Sequence, residues 1–238
     1  MGRKIRRLRL PAAVLLAVVA IGAGVWLGDG YPAGAAAKAA MESDEAVVVT
    51  LREDGSVVFA PREAERGLIF YPGGKVEHTA YAPLLRALAE EGWHCVLLKM
   101  PLRLAVLDAD AAAGIPEQFP EVEEWYIGGH SLGGAMAASY AAEHPEELEG
   151  LLLLAAYSTE DLSDSGLAVW SVYGSEDGVL NREKYESYRA NLPEDTCEVI
   201  LEGGCHAWFG DYGPQTGDGE PAITAMEQVE MTVELLGE

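Results

Sequence analysis

Serine, carboxylate and histidine side chains occur in this chain in local settings that suit nucleophilic catalysis. Ser131 stands in Gly129-His130-Ser131-Leu132-Gly133, a Gly-x-Ser-x-Gly run between an apolar stretch and a segment of helical period. A serine on so sharp a strand-to-helix turn projects its hydroxyl above the sheet. Glycines two residues to either side remove Cβ atoms that would strike neighbouring backbone. A hydroxyl is a poor nucleophile until a base takes its proton, so a histidine oriented by a carboxylate must follow. His78, His94, His130 and His144 fall within or at the ends of regular elements. His206 alone lies in a loop directly after the last strand, Gly203-Gly204-Cys205-His206-Ala207-Trp208-Phe209-Gly210. The expected acid is Asp177, in Gly174-Ser175-Glu176-Asp177-Gly178 after the strand ending at Tyr173, where catalytic groups collect in open parallel sheets. Glu176 and Asp161 are its rivals.

Two backbone amides are expected to meet a developing oxyanion. One is Leu132 N–H at the start of the helix after Ser131. The other comes from Phe70-Tyr71-Pro72-Gly73-Gly74-Lys75, where Gly74 is the expected donor and Lys75 stands next to it. A phosphate loop does not fit Gly73-Gly74-Lys75, because no glycine precedes at the required spacing and Val76 stands where Ser or Thr is needed. Tyr157, Trp208 and Tyr212 are candidates to line the acyl or leaving-group pocket, although aromatics here serve equally as core.

These groups need a sheet to hold them. Residues 46–51 and 56–59 read as a hairpin turned by Asp54-Gly55. Apolar runs at 67–71, 95–99, 125–128, 151–156, 167–173 and 197–201 read as buried strands. Between them lie a helix presenting Tyr81, Leu84, Leu85 and Leu88, the Ala-rich segment 104–113, a helix over 133–144 and one opened by Asn181. A closing helix from about residue 222 spaces Ile223, Met226, Val229 and Val233 on one face. The alternation implies an α/β fold: a mostly parallel central sheet with helices on both faces and an antiparallel hairpin at its start.

With 238 residues, 49% of them apolar, the chain can bury one sizeable core. Its 16 basic and 39 acidic side chains give a net charge of −23. Five of the basic residues precede Asp29, so the body from Gly28 carries 11 against 39, or −28. Such a body repels phosphate backbones, which argues against nucleic-acid binding and leaves neutral or cationic small molecules. Cys95, Cys197 and Cys205 form no CxxC pair and HExxH is absent, so a metal site is not expected. Eight residues of largely extended chain hold Cys197 and Cys205 too far apart for a disulfide.

Residues 10–27 are uncharged and follow Arg3, Lys4, Arg6, Arg7 and Arg9. As a helix this run reaches about 27 Å, enough to cross a bilayer. The flanking cations would hold the amino terminus inside and place the catalytic body outside the cytoplasm. A cleavable signal sequence, with small residues at 33–40 and secretion of the body, is the alternative. The expected organisation is an anchor or signal at 1–27, a linker or short helix at 28–45, and the catalytic domain at 46–238.

From about Gly67 onward the chain resembles the α/β-hydrolase superfamily, on the small cap-less bacterial branch of dienelactone hydrolases and simple carboxylesterases. The resemblance rests on FYPGGKVE (70–77), KMPLRLAV (99–106), GHSLGGAMAA (129–138), GSEDG (174–178) and GGCHAWFGDYG (203–213). It implies a serine hydrolase that cleaves small carboxylic esters through an acyl-enzyme, with the chain order Ser131, Asp177, His206 and no cofactor. Two departures stand out. Dienelactone hydrolases proper carry Cys where this chain has Ser131, and Cys205 replaces the Asn or Asp expected beside His206. Only residues 158–166 separate the strand after the nucleophile helix from the next, leaving no room for a lid. An acyltransferase or thioesterase on the same triad, and a binding module that keeps the fold without the chemistry, remain open.

Overall fold

The computed structural model describes residues 30–237. Eight strands form one sheet: β1 (Val47–Leu51), β2 (Val57–Pro61), β3 (Arg66–Tyr71), β4 (Trp93–Leu97), β5 (Glu124–His130), β6 (Gly150–Leu154), β7 (Ala168–Gly174) and β8 (Cys197–Leu201). Their order is β1-β2-β4-β3-β5-β6-β7-β8. β1 and β2 pair antiparallel, as does β2 with β4, and all remaining pairs are parallel. The expected hairpin is present, with Gly55 at φ 84° in its turn.

The α-helices are α1 (Ala35–Ala40), α2 (Ala82–Glu90), α3 (Leu132–Glu143), α4 (Arg182–Tyr188) and α5 (Ala225–Gly237). Strand periodicity divides the core between the two sheet faces. Leu68, Phe70, Leu152 and Leu154 join one cluster with Leu84, Leu88, Val229 and Val233 of α2 and α5. Ile69, Tyr71, Leu151 and Leu153 join the other with Ala137, Ala138 and Ala141 of α3. Every residue of β6 is buried, as a strand covered on both faces requires.

Chain order places the site. β3 lies between β4 and β5, so the connections leaving its end and that of β5 diverge to opposite sides and open a crevice there. The Gly73-Gly74 loop leaves β3 at that point, and Ser131 leaves β5.

Several expectations change in detail. The Ala-rich segment 104–113 forms one 3-10 turn, Ala105–Leu107, followed by further turns. Tyr71 holds it, donating its hydroxyl to Ala109 O at 2.7 Å and accepting from Ala112 N at 3.0 Å. Met226 is 52% exposed, because it sits at the edge of the α5 stripe in its first turn, and the buried face runs through Val229, Thr232, Val233 and Leu236. The segment read as a linker or short helix carries α1 and contributes Ala33, Ala37 and Ala40 to the core. It is tied down by Ala33 N–H on Glu77 Oε2 and Ala37 N–H on Asp211 Oδ2. All three cysteines are free.

The membrane expectation is corrected. Among the described residues no helix is long and apolar enough to cross a bilayer. The longest of them, α5, has 13 residues, reaches about 20 Å and carries acidic side chains. The run at 10–27 on which the transmembrane, signal-anchor and extracytoplasmic assignments rested lies outside the described residues, and those assignments are withdrawn.

Candidate active site

Ser131 occupies the turn between β5 and α3 with φ 53° and ψ −121°, a left-handed strain held by its surroundings. Its N–H donates to Leu154 O at 2.9 Å, and its carbonyl accepts from Ala135 N–H at 3.1 Å. The turn closes only because its glycines allow backbone contact: a Cβ on Gly129 would meet Gly133 C, and one on Gly133 would overlap Tyr71 O of β3.

His206 reaches the same region from the loop after β8. Its Nδ1 lies 2.9 Å from Asp177 Oδ2, and both side chains are fully buried. Since a carboxylate only accepts, Nδ1 is the donor in this contact, and Nε2 is the ring nitrogen left to exchange a proton with another group. Asp177 Oδ1 accepts from Val179 N–H at 2.9 Å and Leu180 N–H at 2.8 Å. Burial alone would push this carboxyl up. The His206 hydrogen bond and charge, with the two amides, outweigh it and hold Asp177 below the ordinary carboxylate range. The rival acids are elsewhere engaged: exposed Glu176 accepts from Ser175, and exposed Asp161 from Ser163.

Ser131 and His206 line one cavity of about 370 Å³, with Leu132, Met136, Val179 and Leu180 among its walls. His206 Nε2 has no hydrogen-bond partner among the described residues, and no hydrogen bond yet joins it to the Ser131 hydroxyl. Free enzymes commonly hold this contact long until substrate binds. Tyr157 lines the cavity and stacks on Tyr188 at 5.4 Å. Trp208 and Tyr212 are not among its walls. Trp208 packs on the core, and Tyr212 is buried against Tyr31, Tyr81 and His130.

After β3, the amides flanking Gly74 are committed. Gly73 N–H donates to Tyr81 Oη at 3.0 Å and Lys75 N–H to Arg103 O at 2.8 Å. Gly74 N–H and Leu132 N–H have no acceptor among the described residues. The two residues adjoin, since a Cβ on Gly74 would stand 3.2 Å from Leu132 Cδ2.

Four supporting residues escape sequence reasoning. Asp218 accepts from His206 N–H and Gly178 N–H through Oδ1, and from Ala207 N–H through Oδ2, tying the histidine loop to the acid loop. Gln228, on α5, brackets Cys205 by accepting from its N–H and donating to its carbonyl, both at 2.9 Å. Tyr81 Oη contacts His130 Nδ1 at 2.8 Å, and the His130 ring packs 4.5 Å from that of His206. Burial, with His206 alongside, holds His130 well below the usual imidazole value. The Cys205 thiol, pushed up to about 12 by burial and by Asp218, stays neutral beside the base.

A sequence model described as the Alpha/beta hydrolase family matches residues 67–230, most of the chain. The chain belongs to the alpha/beta hydrolase family. Hydrolysis is therefore its general class of chemistry. No curated protein matches the sequence. Solved alpha/beta hydrolases share its fold at low identity. An alpha/beta hydrolase enzyme from the metagenome of Mar Chica lagoon sediments is 15% identical, with a TM-score of 0.59 over 79% of this chain and 95% of that one. A CIB-like hydrolase from Thermoplasma acidophilum is 17% identical, with a TM-score of 0.56 over 81% and 99%. A dienelactone hydrolase from Anabaena variabilis is 16% identical, with a TM-score of 0.55 over 80% and 95%.

Proposed function

We propose that this hydrolase cleaves small, uncharged carboxylic esters through an acyl-enzyme on Ser131. The observation that carries the reading is the buried His206–Asp177 pair, whose unpartnered Nε2 belongs to a residue lining the same cavity as Ser131. In the first half-reaction Nε2 takes the Ser131 proton while Oγ bonds to the ester carbon. Asp177 keeps the imidazole in the required tautomer and stabilises the imidazolium. Gly74 and Leu132 N–H receive the oxyanion. Collapse breaks the carbon–oxygen bond to the alcohol, which leaves with the proton from Nε2. Water then repeats the sequence, His206 taking one of its protons and returning it to Ser131 as the acid departs.

The cavity walls favour an uncharged acyl group. Leu132, Ala135, Met136, Ala156, Val179 and Leu180 are apolar, and no Lys, Arg, Asp or Glu is among the lining residues. The −28 body further disfavours anionic esters. Only 13 residues join β6 to β7, which supports an open site without a lid.

A fluorophosphonate probe and an ester panel test the reading. Ser131 should take the label, and Ser131→Ala should abolish labelling and lower hydrolysis by roughly 10⁴-fold or more while remaining folded. Unchanged labelling in Ser131→Ala would reject the nucleophile. Faster consumption of an alcohol or amine than of water would turn the reading toward acyl transfer.

A further inference from the structure

We propose that Tyr81 is a positioning residue of this site, its single hydroxyl setting both the oxyanion loop, through Gly73, and the elbow imidazole of His130 that packs against His206. The inference rests on the assignment of Ser131 and His206 as nucleophile and base.

Hydrogen-bond direction carries the argument. Gly73 N–H can only donate, so Tyr81 Oη accepts it at 3.0 Å. Its oxygen could accept a second bond, but among the described residues the buried hydroxyl proton meets no acceptor other than His130 Nδ1, 2.8 Å away, so it is donated there. His130 Nδ1 must therefore be an acceptor, which places its proton on Nε2, inside the protein. The contact admits no intervening water: a Cβ on Gly73 would stand 2.6 Å from Tyr81 Oη and 2.8 Å from His130 Nδ1.

Both ends of this relay touch the proposed chemistry. On one side, fixing the Gly73 amide orients the peptide before Gly74, whose N–H stays uncommitted. On the other, the His130 ring lies 4.5 Å from the His206 ring, so its orientation bounds where the base can stand. Tyr81 is itself immobilised, fully buried and packed against Phe70 at 5.2 Å and Tyr212 at 6.3 Å. Burial holds its phenol far above its usual value, so it remains a donor throughout the accessible range. His130 is enclosed by Tyr81, His206, Phe209 and Tyr212.

Tyr81→Phe, His130→Leu and His130→Asn separate positioning from simple support. Each is assayed for ester hydrolysis and for inhibition by a trifluoromethyl ketone, whose tetrahedral adduct carries the oxyanion. Tyr81→Phe and His130→Leu should lower kcat and ketone affinity together, by about 10- to 100-fold, with KM within about twofold. His130→Asn places an acceptor oxygen near the lost Nδ1 and should recover at least about fivefold of what Leu loses. Folded Tyr81→Phe with undiminished kcat and ketone affinity overturns the proposal, as does His130→Asn no better than His130→Leu. Should Tyr81→Phe fail to fold, imidazole nitrogen NMR of the wild-type chain decides. His130 should remain the Nε2–H tautomer from about pH 5 to about pH 8, and an Nδ1–H tautomer or a titration in that range defeats the relay. Absence of probe labelling in folded wild-type protein would instead reject the serine-hydrolase reading, a result separate from any outcome at Tyr81.

Discussion

The two loops that supply the proposed nucleophile and base reach their positions by different physics. The elbow around Ser131 is built by close backbone approach: β5, α3 and the end of β3 touch where glycines leave out their Cβ atoms. The histidine loop is built by side-chain acceptors brought from elsewhere. Asp218 gathers four amides, and Gln228 from α5 brackets Cys205 on both sides. Precision in the first is steric and all-or-none. In the second it is a sum of hydrogen bonds, each net about 1 kcal/mol and more for a charged acceptor. Damage to the elbow glycines should therefore appear as lost folding, and damage to the histidine loop as lost rate in folded protein.

Gly133→Ala is the largest test of this contrast. Its Cβ would overlap Tyr71 O, a backbone atom at the end of β3, a strand held between β4 and β5. Stability should fall by about 3 kcal/mol or more, read as a shift of the urea midpoint with the slope unchanged. A variant with wild-type stability would show that the close approach of β3 and α3 is not what holds the elbow.

This contrast also explains what could be read in advance. Steric precision leaves its mark in residue type: the glycines around Ser131 and the Asp54-Gly55 turn announce their geometry, and strand alternation announces the two-faced sheet. Ser131, His206 and Asp177 stand where strands end, and the glycine-flanked motifs around them mark them as candidates. Hydrogen-bonded precision leaves no such mark. Asp218 is one of 39 acidic residues, in a turn 12 residues past His206. Gln228 lies in the closing helix beside its apolar stripe, where a polar side chain looks solvated although it is completely buried. Tyr81 reads as one more apolar contact of its helix, since nothing in the spacing reveals where a phenol oxygen points. Trp208 and Tyr212 sit in the right loop, yet the cavity wall is made by Met136 of α3 and by Val179 and Leu180 of the loop after β7.

Asp218→Asn probes the histidine loop alone. One oxygen becomes an amide nitrogen that faces a backbone N–H, so at least one of the four donors loses its acceptor. Leaving a buried donor unpaired costs about 1–3 kcal/mol, and displacing the imidazole should lower kcat by about 10- to 100-fold. The expected signature is a folded protein with reduced rate and slower fluorophosphonate labelling. Full activity would mean that the Asp177 hydrogen bond positions His206 unaided.

The smallest effect separates the two loops by pH. His130, in the elbow, is held well below its ordinary value near 6.5, and Asp177, serving the histidine loop, is held below 3.8. A depressed histidine means that the unfolded chain binds the proton first. The stability this group contributes is complete above about pH 6.5 and declines as pH falls from there toward the folded-state value. A depressed carboxylate contributes fully above about pH 4 and loses its share only as pH falls through its own lower value. Acid should thus weaken the elbow before the histidine loop. Between about pH 6.5 and 5, one such histidine adds at most about 1.4 kcal/mol per pH unit to the slope of unfolding free energy. His130→Asn should flatten that slope by up to this amount, while His78 and His94, also lowered by burial, keep theirs. The Asp177 carboxyl itself bends the curve only below about pH 4. Parallel curves for wild type and His130→Asn from pH 6.5 to 5 would show that His130 does protonate within the fold, and the elbow would then owe none of its acid sensitivity to that buried ring.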